Sequence, residues 1–460
     1  MVSLLSIKLM EMIRDTNALK YYYPLMDSQW LKTSELESIQ EERIRNLLLH
    51  CCFNVPYYKR EFKKLGIYPG MKMGVNQLSK VPVMTKEIAK NNFNDLKSTN
   101  INKWGPRLKS TSGSTGKPFN YFFDRESHSY EWAHIWRGWS NAGYKPGDLY
   151  ASLSGGSLIP GKVSLKQKVY LRMCRSLYMP SYHLTEENLE RYTRILMKNE
   201  IKLLYGYPTS IEILARYIKD KKKEISLNGI VTVSECLSTN ARKNIINAFN
   251  CQVIDTYGCN DGGIYSFECG NKNGFHVGIE TCYVEIVDQH GRQVKDGEVG
   301  KIVVTNLAMR AMPLLRYFTG DLGAIDRTPC KCGRGLNRII KLQGRERDYI
   351  TCKDGRKVHG AFFNHFQPFY ETNWLERFQI YQPDINNIIL RLKVKRNPDE
   401  REIAPIIENL KKGLGDMKVN IEYVDEMKLS SSGKFCVVIS DLYHNEEDIL
   451  EYDDKQTAMV

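Results

Sequence analysis

Ser110 to Pro118 reads STSGSTGKP, a run of hydroxyls, two glycines and a lysine between two extended segments. Gly113 and Gly116 can take backbone angles closed to other residues. Consecutive amide N–H groups can then curl towards one anion, with Ser112, Ser114 and Thr115 adding hydroxyl donors and Lys117 a mobile positive charge. Pro118 prevents a helix from starting there. This pattern suits a loop that holds a phosphate chain, the alternative being a flexible surface linker. It differs from the NTPase P-loop, which needs G-x-x-x-x-G-K-[ST] and a helix directly after it. A second cluster is Cys330-Lys331-Cys332, with Cys269 and His276 upstream. Three thiols and an imidazole can form a tetrahedral zinc set, which would be structural with all four positions filled; the Cys-x-Cys spacing is tighter than the usual two-to-four-residue gap, and the alternative is unligated surface cysteines.

These residues need a large scaffold. The 460-residue chain, 42% hydrophobic, is long enough for two or more domains and a substantial core. No apolar run is long enough to cross a bilayer. The N-terminal MVSLLSIKLMEMIRD carries Lys8, Glu11 and Arg14 within its apolar stretch and has no small-residue cleavage site. It reads as an amphipathic helix, and a cytoplasmic location is expected. The twelve cysteines do not suggest a disulfide framework. A net charge of +13 raises the question of nucleic acid. No arginine-rich helix or basic block with interleaved aromatics is present, and Lys219–Lys223 reads as a solvated helix end. The charge is therefore read as a lysine-rich surface.

Residues 1–100 read as mostly helical, with a break at Pro56 and a helix cap at Thr85. From Phe119 strands alternate with helices, which predicts an α/β fold with a mainly parallel sheet. Ligands collect at the carboxyl ends of such strands, here Ser154–Gly156, Tyr205–Tyr207, Ser234-Glu235 and Tyr257-Gly258. From about Phe275 short strands with Asp/Gly turns predict an antiparallel β unit. A small α+β domain follows, and the tail from about residue 445 is acidic and expected to be disordered. The expected domains are 1–346 and 347–460.

Five separated segments, STSGSTGKP, YGCND (257–261), YFTGD (317–321), GRERD (344–348) and SSSGKF (430–435), resemble the motifs of adenylate-forming enzymes, in their order. That superfamily includes acyl-CoA synthetases, peptide-synthetase adenylation domains and luciferases. HCCFNVPYYKREFKKLG, LYGYPTSIEILARYI and the Cys-x-Cys-Gly-Arg segment resemble its phenylacetate–CoA ligase-like branch, which includes capsular-polysaccharide biosynthesis proteins. The resemblance implies that a carboxylate attacks the α-phosphate of ATP, giving an acyl-adenylate and pyrophosphate, and that a thiol or amine then takes the acyl group. It implies that Ser112–Lys117 hold the β- and γ-phosphates and that Asp261 binds Mg²⁺. Tyr257, beside Gly258, lies against adenine, Asp321 accepts from the ribose hydroxyls, and Arg345 contacts ribose or phosphate. Lys434, from a mobile small domain, reaches the α-phosphate and the substrate carboxylate. Tyr207, Ser234, Glu235 and Gly155 are candidates for the acyl pocket.

The chain departs from the family pattern in four places. Asp261 stands where Glu is usual, Asn260 replaces Thr, and Arg347 occupies the hinge position. A Lys353-Asp354-Gly355 turn replaces the Gly-rich stretch that many relatives bring to the thiol, so adenylation is better supported than transfer to CoA. The acceptor is left open between CoA, a carrier-protein thiol and a sugar amine or hydroxyl. Two other functions compete. One is a zinc-containing nucleic-acid-binding protein, with salt-sensitive binding and no need for a carboxylate. The other is a non-catalytic relative that binds a nucleotide or acyl group, against which Lys434 argues.

Overall fold

A computed structural model describes residues 2–111, 119–154, 165–181, 184–345, 349–354, 357–359, 372, 374–415, 417–427 and 435–443. The chain divides into two compact units, 1–109 with 120–343, and 110–119 with 344–460.

The first unit holds an eleven-stranded sheet among the described residues. Its parallel part comprises β3 (Tyr150–Ser154), β4 (Ser176–Pro180), β5 (Leu203–Gly206), β6 (Gly229–Thr232) and β7 (Gln252–Cys259). Its strands are apolar on both faces, because helices cover both. The period of two sorts them. Leu153, Leu204, Ile230 and Val253 pack with helices α10 (Glu186–Lys198), α11 (Pro208–Asp220) and α12 (Thr239–Phe249). Their neighbours Tyr150, Leu203, Val231 and Ile254 face α1 (Val2–Arg14), α2 (Ala18–Ser28) and α8 (Arg125–Ser140). Strand β4 and helix α9 (Leu165–Met173) form part of this unit although the sequence reading did not identify them. At the carboxyl end of β5, a Cβ on Gly206 would lie 2.0 Å from the Leu153 carbonyl oxygen, so only glycine fits there.

The antiparallel strands are not a separate unit. β8 (Ile264–Glu268) pairs directly with β7, and β9 (Phe275–Val277) pairs with β8. β13 (Arg338–Arg345), β12 (Tyr317–Asp326), β11 (Gly300–Asn306) and β10 (Cys282–Val287) continue the same sheet to its edge. The short Asp/Gly turns are visible in the sequence. That β8 continues the ladder of β7 is not, because ladder partners are long-range.

Local signals place the helix starts. Thr85 accepts from the Ile88 N–H at 3.2 Å, as expected for the cap. Asp124 caps α8 through Oδ1 to the Ser127 N–H, while its Oδ2 accepts from the Arg310 and Ala311 N–H groups. A new helix starts at Pro56, as the break there predicts.

The second unit carries the hairpin of β14 (Tyr349–Thr351) and β15 (Lys357–His359). It also carries a four-stranded sheet, ordered β18 (Lys418–Tyr423), β17 (Asn387–Val394), β16 (Leu375–Gln382) and β19 (Val438–Ser440). The helix Glu400–Leu414 packs Ile406, Leu410 and Leu414 with Ile380, Ile388 and Leu390 of that sheet, and a capping box from Asp399 and Glu402 starts it.

Candidate functional site

β7 delivers Tyr257 and Cys259, the following turn delivers Asp261, and β12 delivers Tyr317 and Asp321. Gly263 makes that turn at φ +68°, and its missing Cβ leaves room for the Asn306 side chain. The Tyr257 hydroxyl donates to Asp321 Oδ2 at 2.8 Å, and the Asp321 N–H donates to Thr319 Oγ1 at 3.2 Å. Asp261 is 8% exposed. Its Oδ1 accepts from the Cys259 thiol and its Oδ2 from the Tyr317 hydroxyl, both at 2.7 Å. Burial, reinforced by Asp261, pushes the Cys259 thiol far up, so it stays a neutral donor. Burial, then Asp321, does the same for Tyr257. The sequence points to both carboxylates but not to the hydroxyls and thiol that aim them. Tyr257, expected against adenine, has its phenol committed to Asp321. Each Asp261 oxygen has a second lone pair, and one such carboxylate suits Mg²⁺, whose other ligands are commonly phosphate oxygens and water.

Strand β1 (Arg107–Thr111) leads into residues 112–118 and forms a two-stranded sheet with β2 (Phe119–Phe123). Lys109 Nζ lies 2.7 Å from Glu131 Oε2 on α8, and His128 Nδ1 lies 2.9 Å from the same oxygen. Burial would raise the Glu131 carboxyl, but Lys109 and His128 outweigh it and hold it at about 2. This cluster fixes the strand entering the proposed phosphate loop and was not apparent from sequence spacing. Ser112, Gly113, Ser114, Thr115, Gly116, Lys117, Gly155, Arg347 and Lys434 lie outside the described residues, as do the Arg345 side chain and the tail from 444.

At the carboxyl ends of β5 and β6, Tyr207 is buried and Ser234 sits at φ +70°, a region that L side chains rarely occupy. Glu235 Oε2 accepts from Thr209 Oγ1 at 2.7 Å and from the Thr209 N–H at 3.3 Å, holding a carboxylate at the start of α11. A separate cavity of about 240 Å³ lies between α8, α9 and the sheet, lined by Trp132, Trp139, Tyr150, Ser152, Tyr178 and Tyr205 among others. Tyr207, Ser234 and Glu235 are not among its lining residues. Trp136 and Trp139 are buried, and Trp132 is half-buried at the cavity.

The four cysteine and histidine residues do converge. One ligand atom from each of Cys269, His276, Cys330 and Cys332 lies within 4.8 Å of the others. Cys269 Sγ and Cys330 Sγ are 3.9 Å apart, and Cys332 Sγ is 3.4 Å from His276 Nε2. A tetrahedral zinc with ordinary bond lengths needs ligand separations of about 3.3–3.8 Å. Burial, then Arg334, lowers His276 to about 4, so its imidazole is neutral. Burial raises the Cys332 thiol, but the Arg334 N–H and guanidinium outweigh it and lower the thiol overall. The neutral imidazole and the eased Cys332 thiolate suit a zinc ligand set, while burial and then the neighbouring thiols push the Cys269 thiol up to about 11.

Residues 350–441 match the family model for the CapK C-terminal domain. Over 435 residues the chain is 26% identical to Protein CapK of Staphylococcus aureus, covering 92% of this chain and 93% of that one. It is 26% identical over 339 residues to the phenylacetate–coenzyme A ligase of Thermus thermophilus, covering 72% and 75%. A solved structure of 2-hydroxyisobutyryl-CoA ligase, in the postadenylation state with R3-HIB-AMP, aligns at a TM-score of 0.70 and 17% identity over 90% of this chain and 91% of that one, a likeness of fold. The α/β class and the resemblance both stand: the chain is similar to CapK over most of its length and to the phenylacetate–coenzyme A ligases over about 70% of it, and it shares the fold of a solved CoA ligase.

Proposed function

We propose that this protein activates a small carboxylic acid with ATP and passes the acyl group to coenzyme A. The substrate carboxylate oxygen bonds to the α-phosphorus as the bond to the bridging oxygen breaks, so pyrophosphate leaves and an acyl-adenylate forms. A thiolate then attacks the acyl carbon and AMP leaves. The supporting observation is the aimed pair of carboxylates, Asp321 held by Tyr257 and Asp261 held by Cys259 and Tyr317. In this reading Asp321 accepts from the ribose hydroxyls and Asp261 would hold Mg²⁺, which supplies charge neutralisation at the phosphates. Ser112–Lys117 cradle the phosphate chain, Arg345 contacts ribose or phosphate, Arg347 is the hinge between domains 1–346 and 347–460, and Lys434 serves the chemical step. The aromatic cavity is a candidate for the acid's apolar part, beside Tyr207, Ser234, Glu235 and Gly155 as the acyl-pocket candidates.

Coenzyme A is favoured because the curated relatives named as ligases are coenzyme A ligases. A carrier-protein thiol and an amino sugar are the alternatives. A part in surface-polysaccharide biosynthesis rests on the resemblance to that branch and on the match to CapK. The relatives give the nucleic-acid-binding alternative no support. A panel of carboxylates with hydroxylamine as trap should give pyrophosphate release with at least one acid. A panel without acid-dependent release would overturn this reading.

Asp321→Ala should weaken ATP binding by calorimetry about tenfold or more, since each lost charged hydrogen bond costs about 1.5–3 kcal/mol. Unchanged affinity would remove Asp321 from the ribose site.

We also propose that Cys269, His276, Cys330 and Cys332 bind one structural zinc, linking the β8–β9 turn to the segment before β13. Metal-washed protein should contain about one zinc per chain by elemental analysis, following the four-ligand rule. Cys330→Ser should lower the thermal midpoint more than Cys51→Ser, because it leaves the zinc an incomplete set. Fully folded protein free of zinc would end the idea.

A further inference from the structure

Helix α1 turns an apolar stripe to solvent. Ile7, Met10 and Arg14 are buried and share one side of the helix. Met12, Leu5, Leu9 and Ile13 fall on another arc of about 100°, at the helical rotation of about 100° per residue. They are 73%, 75%, 39% and 39% exposed. The adjoining α9 extends the patch. Arg14 Nε donates to the Tyr170 hydroxyl at 3.1 Å, and Val169 and Tyr170 are 51% and 37% exposed. Of the sixteen exposed large apolar side chains among the described residues, six lie on these two helices, which makes a patch rather than scatter.

The rim is basic. Lys8 is exposed beside the stripe, and Arg172 is exposed on α9. Glu11 is the one acidic residue in either helix, and its carboxylate is engaged by the Leu19 N–H at 2.6 Å. A second copy fits this surface poorly. A twofold interface sets a patch against itself, so Lys8 and Arg172 would meet like charges, on a chain of net charge +13. An anionic lipid surface suits both features. Apolar side chains can enter the acyl boundary while cations meet the head groups. No helix of the described residues is long and apolar enough to cross a membrane. We propose that α1 and α9 form a peripheral docking face for an anionic lipid membrane, with α1 lying in the plane of the interface. Leu171 of α9 and Trp132, on which the Arg14 guanidinium stacks at 3.7 Å, line the aromatic cavity. Docking would bring that cavity beside the lipid.

Flotation of the full chain with phosphatidylcholine vesicles containing about 30 mol% phosphatidylglycerol tests this. Most of the protein should float with them and little with pure phosphatidylcholine, and about 0.5 M salt should weaken the binding. The double variant L5E/M12E should bind about tenfold less or weaker, because it places two charges in the apolar contact. Its thermal midpoint should stay unchanged, since both positions are solvent-facing. Tyr68→Glu, an exposed apolar position in a loop outside these two helices, should float like the wild type. The proposal is overturned if wild-type protein does not float, or if L5E/M12E floats as well as wild type. It is also overturned if sedimentation shows a dimer that L5E/M12E dissolves.

Discussion

Replacing Lys434 with alanine should cut the rate of adenylate formation by about two to three orders of magnitude, the range for losing one preorganised charge donor. In the proposed reaction negative charge gathers on the five-coordinate α-phosphorus and the attacking carboxylate. An ammonium placed there acts in the transition state and little in the ground state, so kcat falls and ATP affinity barely changes. The second half-reaction, started from pre-formed acyl-adenylate, should be largely spared. Rapid-quench measurement of both half-reactions checks this. Equal loss in both, or a wild-type rate of adenylate formation, would refute the role.

Glu280→Gln should destabilise the first unit by about 3–5 kcal/mol, the range for leaving one buried charge unpaired. Arg137 and Glu280 have side chains 0% and 4% exposed and meet at 2.6 Å. Ser28 donates to Glu280 Oε1 at 2.7 Å, and Arg137 also donates to the Leu25 carbonyl at 3.2 Å and to His134 Nδ1 at 3.0 Å. That acceptor role leaves the proton on His134 Nε2, which faces Thr281 Oγ1 at 2.6 Å. Burial, then Arg137, lowers His134 to about 3, so it stays neutral. The pair ties α8 to the turn between β9 and β10. Replacing both partners together, as R137M/E280L, should cost much less, because no charge is then stranded. Burial raises the Glu280 carboxyl, but Arg137 outweighs it and lowers the group below its ordinary value of 4.5. With a depressed folded pKa, its contribution is present above that value and is lost as pH falls through the folded one. The difference between wild type and Glu280→Gln, read from urea midpoints, should therefore be full at pH 7 and shrink in acid. A variant as stable as wild type at pH 7 would show that the pair carries no such load.

Much of this protein is legible in its sequence, because the signals are local. Alternating strands and helices give the α/β class, and the cap at Thr85 and the break at Pro56 mark helix starts. The ordered motifs point to Asp261 and Asp321. Cys269, His276, Cys330 and Cys332 are legible as a set because few residue types bind zinc, and the fold gathers them across sixty residues of chain. The tertiary structure alone decides what depends on partners distant in sequence. Tyr257 aims Asp321, Tyr317 and Cys259 hold Asp261, and Glu280 neutralises Arg137 across 143 positions. It also decides that β8 extends the ladder of β7, and that the Met12, Leu5, Leu9, Ile13 side of α1 faces solvent while the Ile7, Met10 side is covered. Periodicity shows that a helix has two faces. Which one is buried depends on what packs against it, and that is set by chain segments far away in sequence.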